Sequence, residues 1–289
     1  MIGERTFDRR FFVLAPSFHG ATLLAKLLNA HPKVVCLGDT YPSHAYDQVC
    51  GCGRLVSECP FWLNIGEKIG AARYADQPEL LPSWPRLTGT ALDGRLYSNL
   101  PIPLLRLLRA KDAGVFLDDY DKFVAAVYAQ HLGRDPKVFI DGVKSLARVK
   151  AFVASGGRVD GVLHVVRDAA DYVKSATKNH GDSVGGLARN AFSWRMYHSR
   201  SSALRRYVPY LRIGYDQLCD STDETLDSIF RFLGVAPQSV AELRTNFARE
   251  WHFMGNSSMF HFDGKIRQSH HATTARERFV IDLFAGRLS

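Results

Sequence analysis

Five short apolar runs, each ending in polar residues and each followed by a helical pattern, constrain this chain more than any other feature. Phe11–Ala15 is the first, and Pro16 to Thr22 then leads into Leu23, Leu24, Leu27 and Leu28 at helical spacing. Such a run–loop–amphipathic sequence reads as strand, loop, helix. The helix should stop at Asn29-Ala30-His31-Pro32, because a proline disfavours helical geometry in the residue before it, and Val34–Leu37 makes a second strand. Val138–Ile140, Val162–Val166 and Leu211–Ile213 follow, each closed by polar residues: Asp141, Arg167-Asp168 and Tyr215-Asp216. Leu226, Ile229, Phe230 and Leu233 repeat the helical spacing after the last run. Strands alternating with helices predict an α/β fold with a parallel sheet and right-handed crossovers. Ligands of open parallel sheets bind beyond the carboxyl ends of the strands, so those polar ends are where function is to be sought.

The 289 residues suit one α/β domain spanning 1–289, and no polar linker divides them. A long insertion at about 40–135, with Pro82, Pro85, Pro101 and Pro103, is expected to form a lid or acceptor-side elaboration on that domain. No stretch reaches the roughly 18 apolar residues of a membrane span, and Met1 to Arg10 lacks a signal-peptide core. Five cysteines are an odd count for a disulfide scaffold, so reduced thiols and a soluble, cytoplasmic protein are expected. The net charge of +8 admits nucleic acid, an anionic membrane or a small polyanion. Basic residues form no long run, the densest patch being Arg205-Arg206 with Arg195, Arg200 and Arg212, which argues against nucleic acid.

Two loops carry chemistry. The first contains Gly20 and runs straight into a helix, so its N–H groups and the positive helix end can cradle an anion, with Thr22 adding a hydroxyl. A plain structural turn is the alternative. The Gly-Lys-Ser/Thr ending of a nucleoside triphosphatase loop is absent, which disfavours a small-molecule kinase. In the second, Arg167 ends a strand and Ser175 lies two helical turns on; a guanidinium fork and a hydroxyl suit one phosphate. Alternatively Arg167 and Asp168 make a strand-end ion pair.

In this order the elements resemble those of the sulfotransferases that use 3′-phosphoadenosine 5′-phosphosulfate (PAPS), especially the bacterial members. Phe12-Val13-Leu14 through Gly20-Ala21-Thr22 is similar to their 5′-phosphosulfate loop, Asn29-Ala30-His31-Pro32 with Leu37-Gly38-Asp39 to the HPxV…GE continuation, and Cys50-Gly51-Cys52-Gly53 with Cys59-Pro60-Phe61-Trp62 to a CxCG…CPFW segment. Ile140 to Ser145 resembles the DSSK strand end, Arg167 and Ser175 the 3′-phosphate motif, Tyr215 to Cys219 with Phe232 to Val235 the YEDL…FLGV element, and His252 to Asn256 an HxxGN loop.

The resemblance implies a P-loop NTPase-like three-layer α/β/α sandwich, with PAPS as donor, 3′-phosphoadenosine 5′-phosphate (PAP) as product, and no metal. The acceptor would be a hydroxyl or amine of a carbohydrate, lipid or small metabolite. Ser17, Phe18, His19, Gly20, Ala21 and Thr22 would hold the 5′ end, and Arg167, Ser175, Tyr215, Lys265 and Arg267 the remainder. Asp39 is the candidate base, with His44 and His19 behind it. Two positions depart from the family. Phe18 stands where a loop cation is usual, so Lys144 or His19 must substitute, Lys144 being favoured by its place on the same rim of the sheet; otherwise the chain is a nucleotide-binding protein with weak or no turnover. Met259 replaces an expected arginine. Cys50, Cys52 and Cys59 have two readings: zinc with Cys36 or His44 as fourth ligand, or a reduced, packed loop. Trp62, Trp84, Phe61 and Phe116 would line an acceptor pocket or form the insertion's small core.

Overall fold

The computed structural model describes residues 6–38, 49–70, 84–90, 92–177, 183–247, 252 and 272–286. Five strands, β1 (Arg9–Leu14), β2 (Val34–Leu37), β3 (Val138–Asp141), β4 (Gly161–Val166) and β5 (Tyr210–Gly214), form one sheet in the order β2-β3-β1-β4-β5. Every pairing is parallel. All five apolar runs are therefore strands, and the runs in the three central strands, β3, β1 and β4, are buried because both faces of a parallel sheet are covered. β1 begins before its apolar run, at Arg9, because the carbonyl of Lys137 accepts from the amides of both Asp8 and Arg9 and extends the ladder towards β3.

Twelve helices surround the sheet among the described residues: α1 (Ala21–Ala30), α2 (Pro60–Gly70), α3 (Asp93–Asn99), α4 (Ile102–Leu108), α5 (Ala113–Ala129), α6 (Leu146–Ala154), α7 (Ala169–Thr177), α8 (Val184–Ser202), α9 (Tyr215–Asp220), α10 (Thr222–Leu233), α11 (Val240–Leu243) and α12 (Ala275–Ala285). Alternate residues of each strand divide between two cores, as the two-residue period requires. Phe12, Leu14, Val35, Leu37, Phe139 and Val162 face α2, α5 and α6. Phe11, Val13, Cys36, Ile140, Leu163 and Val165 face α1, α9 and α10. The result is a three-layer α/β/α sandwich. A third cluster gathers α7, α8 and α12 around Val166.

α1 ends at Ala30 with His31 as its cap, one residue before Pro32. Phe61, Trp62 and Phe116 of the 40–135 segment are buried in the first core against the sheet, and Phe61 also lines a cavity beside Cys52 and His252. Trp84 packs with Tyr97 and Leu105 against α6.

Candidate functional site

The loop between β1 and α1 turns through two left-handed residues, Phe18 (φ 65°) and Gly20 (φ 76°). Glycine is required at the second on two counts. A Cβ there would lie 2.3 Å from a ring carbon of Tyr215, and the backbone conformation is one that side chains disfavour. Gly20 caps α1, whose first turn carries no acidic residue, so the positive end of the helix is not neutralised from within. Ser17, Phe18, Ala21 and Thr22 complete this loop and helix start; Phe18 is 42% exposed.

Arg167, at the end of β4, reaches across to this loop. Its Nη1 donates to the Phe18 carbonyl (2.9 Å) and to the Ser175 hydroxyl (3.3 Å), and its guanidinium stands over the Tyr215 ring, 5.0 Å from the centroid. Phe18, Gly20, Arg167, Ser175 and Tyr215 are thus one cluster, drawn from three strand ends. Arg167 is only 5% exposed, so its charge is largely desolvated, a setting in which an anion is bound more strongly than in water. Asp168 does not pair with it; the Asp168 carboxylate caps α7 by accepting from the amides of Ala170 (2.8 Å) and Asp171 (3.2 Å).

His19 does not join the cluster. Fully buried, it heads a chain of hydrogen bonds running inward: Nδ1 to the Ser17 carbonyl (3.0 Å), Nε2 to His198 Nε2 (3.0 Å), then His198 Nδ1 to His164 Nε2 (2.7 Å), and His164 Nδ1 to the Tyr210 hydroxyl. The carbonyl of Ser17 can only accept, so His19 must carry its proton on Nδ1. Every later proton follows: His198 donates from Nε2, His164 donates from Nε2, and Tyr210 donates its hydroxyl. All three rings are neutral. Burial lowers His19 to about 4, with the Arg167 charge contributing, His164 to about 3 and His198 to about 2. The His19 ring faces inward to His198, and its burial disfavours the charged form that a substitute for the loop cation would need.

Lys144 follows β3 on the same rim, in a left-handed conformation (φ 63°). Its loop is shaped by Asp141, whose Oδ2 accepts from Tyr120 Oη (2.8 Å) and pairs ionically with Arg148 (Nε at 3.1 Å) and whose Oδ1 accepts from the Val143 amide (3.0 Å). Ser145 then caps α6. Lys144 lines a cleft of about 520 Å³ between α6 and α8, with Ser145, Ser193, Met196, Tyr197 and Arg200. Gly142 lies against Gly38, where a Cβ would meet the Gly38 Cα at 2.8 Å, so the chain just past β3 touches the chain just past β2. Asp39, His44, Lys265 and Arg267 lie outside the described residues.

One helix face holds these loops. On α8, Trp194 Nε1 donates to the Arg167 carbonyl (3.1 Å), Tyr197 Oη donates to the Lys144 carbonyl (2.8 Å) and His198 ties in His19. Positions i, i+3 and i+4 share a helix face, so β4, β3 and β1 are gripped by one surface. Sequence reasoning passed over these three residues. The available signal was the W-x-x-Y-H spacing in a helix of otherwise polar character.

Cys36 is on β2 in the second core, its backbone paired with the Asn29 amide, and takes no part in the other cysteines' cluster. The group beside Cys50, Cys52 and Cys59 is instead His252.

No family model matches the chain, and no curated protein does. Among solved structures the chain is similar to the sulfotransferase domain of the Synechococcus PCC 7002 olefin synthase (17% identity, 100% of this chain and 99% of that one, TM-score 0.45). It is similar also to the sulfotransferase domain from the curacin biosynthetic pathway (12%, 99% and 100%, 0.47) and to the sulfotransferase STF1 from Mycobacterium tuberculosis H37Rv (15%, 97% and 77%, 0.49). What this chain itself does is read from its own side chains.

Proposed function

We propose that the protein is a sulfotransferase that takes a sulfuryl group from PAPS and passes it to a hydroxyl or amine of a carbohydrate, lipid or small metabolite. One observation carries this reading: two sequence motifs about 150 residues apart meet where Arg167 bonds both the Phe18 carbonyl and the Ser175 hydroxyl, beside Gly20 and Tyr215. A desolvated guanidinium, a hydroxyl and an acid-free helix start are a donor set suited to phosphate groups, as a bisphosphorylated nucleotide carries.

PAPS, when bound, supplies an activated sulfuryl group whose departure leaves charge on a phosphate. The chain's own residues have three tasks. The α1 start, with Gly20, Ala21 and Thr22, stabilises the leaving phosphate. Arg167 and Ser175 hold the 3′-phosphate, with Tyr215 beneath the guanidinium. Asp39 takes the proton of the acceptor, and Lys144 supplies the cation absent at Phe18; the approach of Gly142 to Gly38, the residue before Asp39, supports the pairing of these roles. Lys265 and Arg267 are further partners for the nucleotide, and the 40–135 segment forms the acceptor side of a single domain spanning 1–289. The cleft lined by Lys144 and Arg200 is the acceptor's place.

The second reading, a nucleotide-binding protein without turnover, is favoured by one observation: Phe18 is no cation and the neighbouring His19 is neutral. Incubation with PAPS and a panel of sugar, lipid and phenolic acceptors, with release of PAP and a sulfated product as readout, separates the two. Acceptor-dependent PAP release is expected. Nucleotide binding with no product from any acceptor selects the second reading, and no binding at all sinks both.

A further inference from the structure

The cysteine cluster is absorbed by nothing above. Cys52 Sγ and Cys59 Sγ are 3.6 Å apart, Cys59 and Cys50 3.7 Å, and His252 Nδ1 lies 3.5 Å from Cys59 and 4.0 Å from Cys50. All four ligand atoms fall within 4.8 Å of one another. A tetrahedral ion with metal–sulfur bonds of about 2.3 Å and a metal–nitrogen bond of about 2.0 Å needs sulfur–sulfur edges of roughly 3.8 Å and sulfur–nitrogen edges of roughly 3.5 Å. A disulfide would need about 2.05 Å, and Cys59 sits equally close to two sulfurs, so neither contact is a bond.

Backbone donors converge on the sulfurs. Cys50 to Gly53 makes a tight turn, with the Gly53 amide donating to the Cys50 carbonyl (2.8 Å) at φ 86° and the Cys50 amide to the Arg54 carbonyl (2.8 Å). Within it the backbone amides of Cys52 and Arg54 point at the sulfurs of Cys50 and Cys52, and the Trp62 amide, in the first turn of α2, points at the sulfur of Cys59. Phe61 stacks on the His252 ring at 4.5 Å and 5°, fixing its orientation as a partner outside the ligand set should. Three thiolates leave a divalent centre with one negative charge, and Arg54 and Arg134 line the cavity beside it.

We infer that Cys50, Cys52, Cys59 and His252 bind a single zinc ion as a closed, structural site. Three sulfurs and one imidazole nitrogen in tetrahedral array select zinc among common divalent ions, and four protein ligands leave no open position for catalysis. Binding displaces the three thiol protons to solvent and changes no oxidation state. The ion clips residue 252 to the 50–59 turn across 193 residues of chain, closing a loop whose entropy the unfolded state would otherwise keep. It thereby anchors the start of the segment that carries Lys265 and Arg267. The inference does not rest on the nucleotide reading, since a chain that binds no nucleotide would still hold the ion.

The test is elemental analysis of the full chain purified without chelators, then cobalt(II) exchange. About one zinc per chain is expected, with an intense thiolate-to-cobalt band after exchange, three cysteines besides the core-buried Cys36 slow towards a thiol reagent until a chelator is added, and a lower Tm once it is. Cys36→Ser and Cys219→Ser should keep the zinc, while Cys59→Ser and His252→Ala should lose most of it. Where a ligand variant does not fold, the cobalt spectrum of the wild type decides alone. A folded chain with negligible metal, no thiolate-to-cobalt band and immediately reactive thiols would overturn the inference, as would a Cys52–Cys59 disulfide in the native protein.

Discussion

Arg167 touches the β1–α1 loop, α7 and Tyr215 at once, and Trp194 holds its backbone. Its neighbour in the loop poses the sharper question. Phe18 stands exposed where a cation would neutralise a leaving phosphate, while its carbonyl is occupied by Arg167. Phe18→Arg leaves that carbonyl in place, so we expect a gain in turnover of roughly tenfold, the value of one added charge-assisted contact. Unchanged turnover in steady-state assays would mean that Lys144 already provides the charge. Asp39→Asn should leave PAP affinity as it is and lower kcat by about 10²- to 10⁴-fold, the range of general-base catalysis. Full turnover in that variant would end the assignment of Asp39 as base.

At the scale of elements, the rim of the sheet is held by α8 and by one buried ion pair. Asp141 and Arg148 are each 1% exposed, and their pairing shapes the loop that presents Lys144. Asp141→Ala strands the guanidinium among Tyr120 and Phe152, at a cost of about 3–5 kcal/mol in urea unfolding. A loss under 1 kcal/mol would show that the pair contributes little there. Tyr197→Phe on α8 removes one neutral hydrogen bond to the Lys144 carbonyl. It should lower stability by about 1 kcal/mol. If that bond positions Lys144, turnover falls while PAP affinity holds; equal losses in both would mark it as merely structural.

At the scale of the molecule, the three neutral histidines make stability depend on pH. The unfolded chain protonates histidine near pH 6.5, whereas His19, His164 and His198 resist until about 4, 3 and 2 because they are buried. The unfolded state binds more protons across that interval, so their contribution is complete above pH 6.5 and is lost as pH falls below it. Tm measured from pH 7 to pH 5, above the ordinary carboxylate range, should fall steadily. A flat profile would mean that the three rings take up protons in the fold as readily as in the unfolded chain.

Much of the fold is legible because β1 to β4 carry buried apolar runs, and β5, an edge strand with only Ile213 buried, still shows a short one. The sheet order was not, since β2 pairs with β3 across about 100 residues and no local pattern records it. The site divides the same way. Gly20, Arg167 and Ser175 announce themselves by type and spacing. The histidine chain does not: His164 sits inside an apolar strand and His198 on a helix, and only the fold brings them to His19. Three metal-binding cysteines share one short segment, but His252 has no local signal that marks it as their fourth partner.

The central claim is that the Arg167–Ser175–Gly20 cluster binds a bisphosphorylated adenosine. Calorimetric titration of PAP into the wild-type chain and into Arg167→Ala tests it most directly. Losing a charge-assisted fork of about 1.5–3 kcal/mol predicts a Kd some 10- to 100-fold weaker in the variant, with the wild-type Tm preserved within a few degrees. Equal affinity in the two proteins, or no heat of binding in the wild type, would contradict the account.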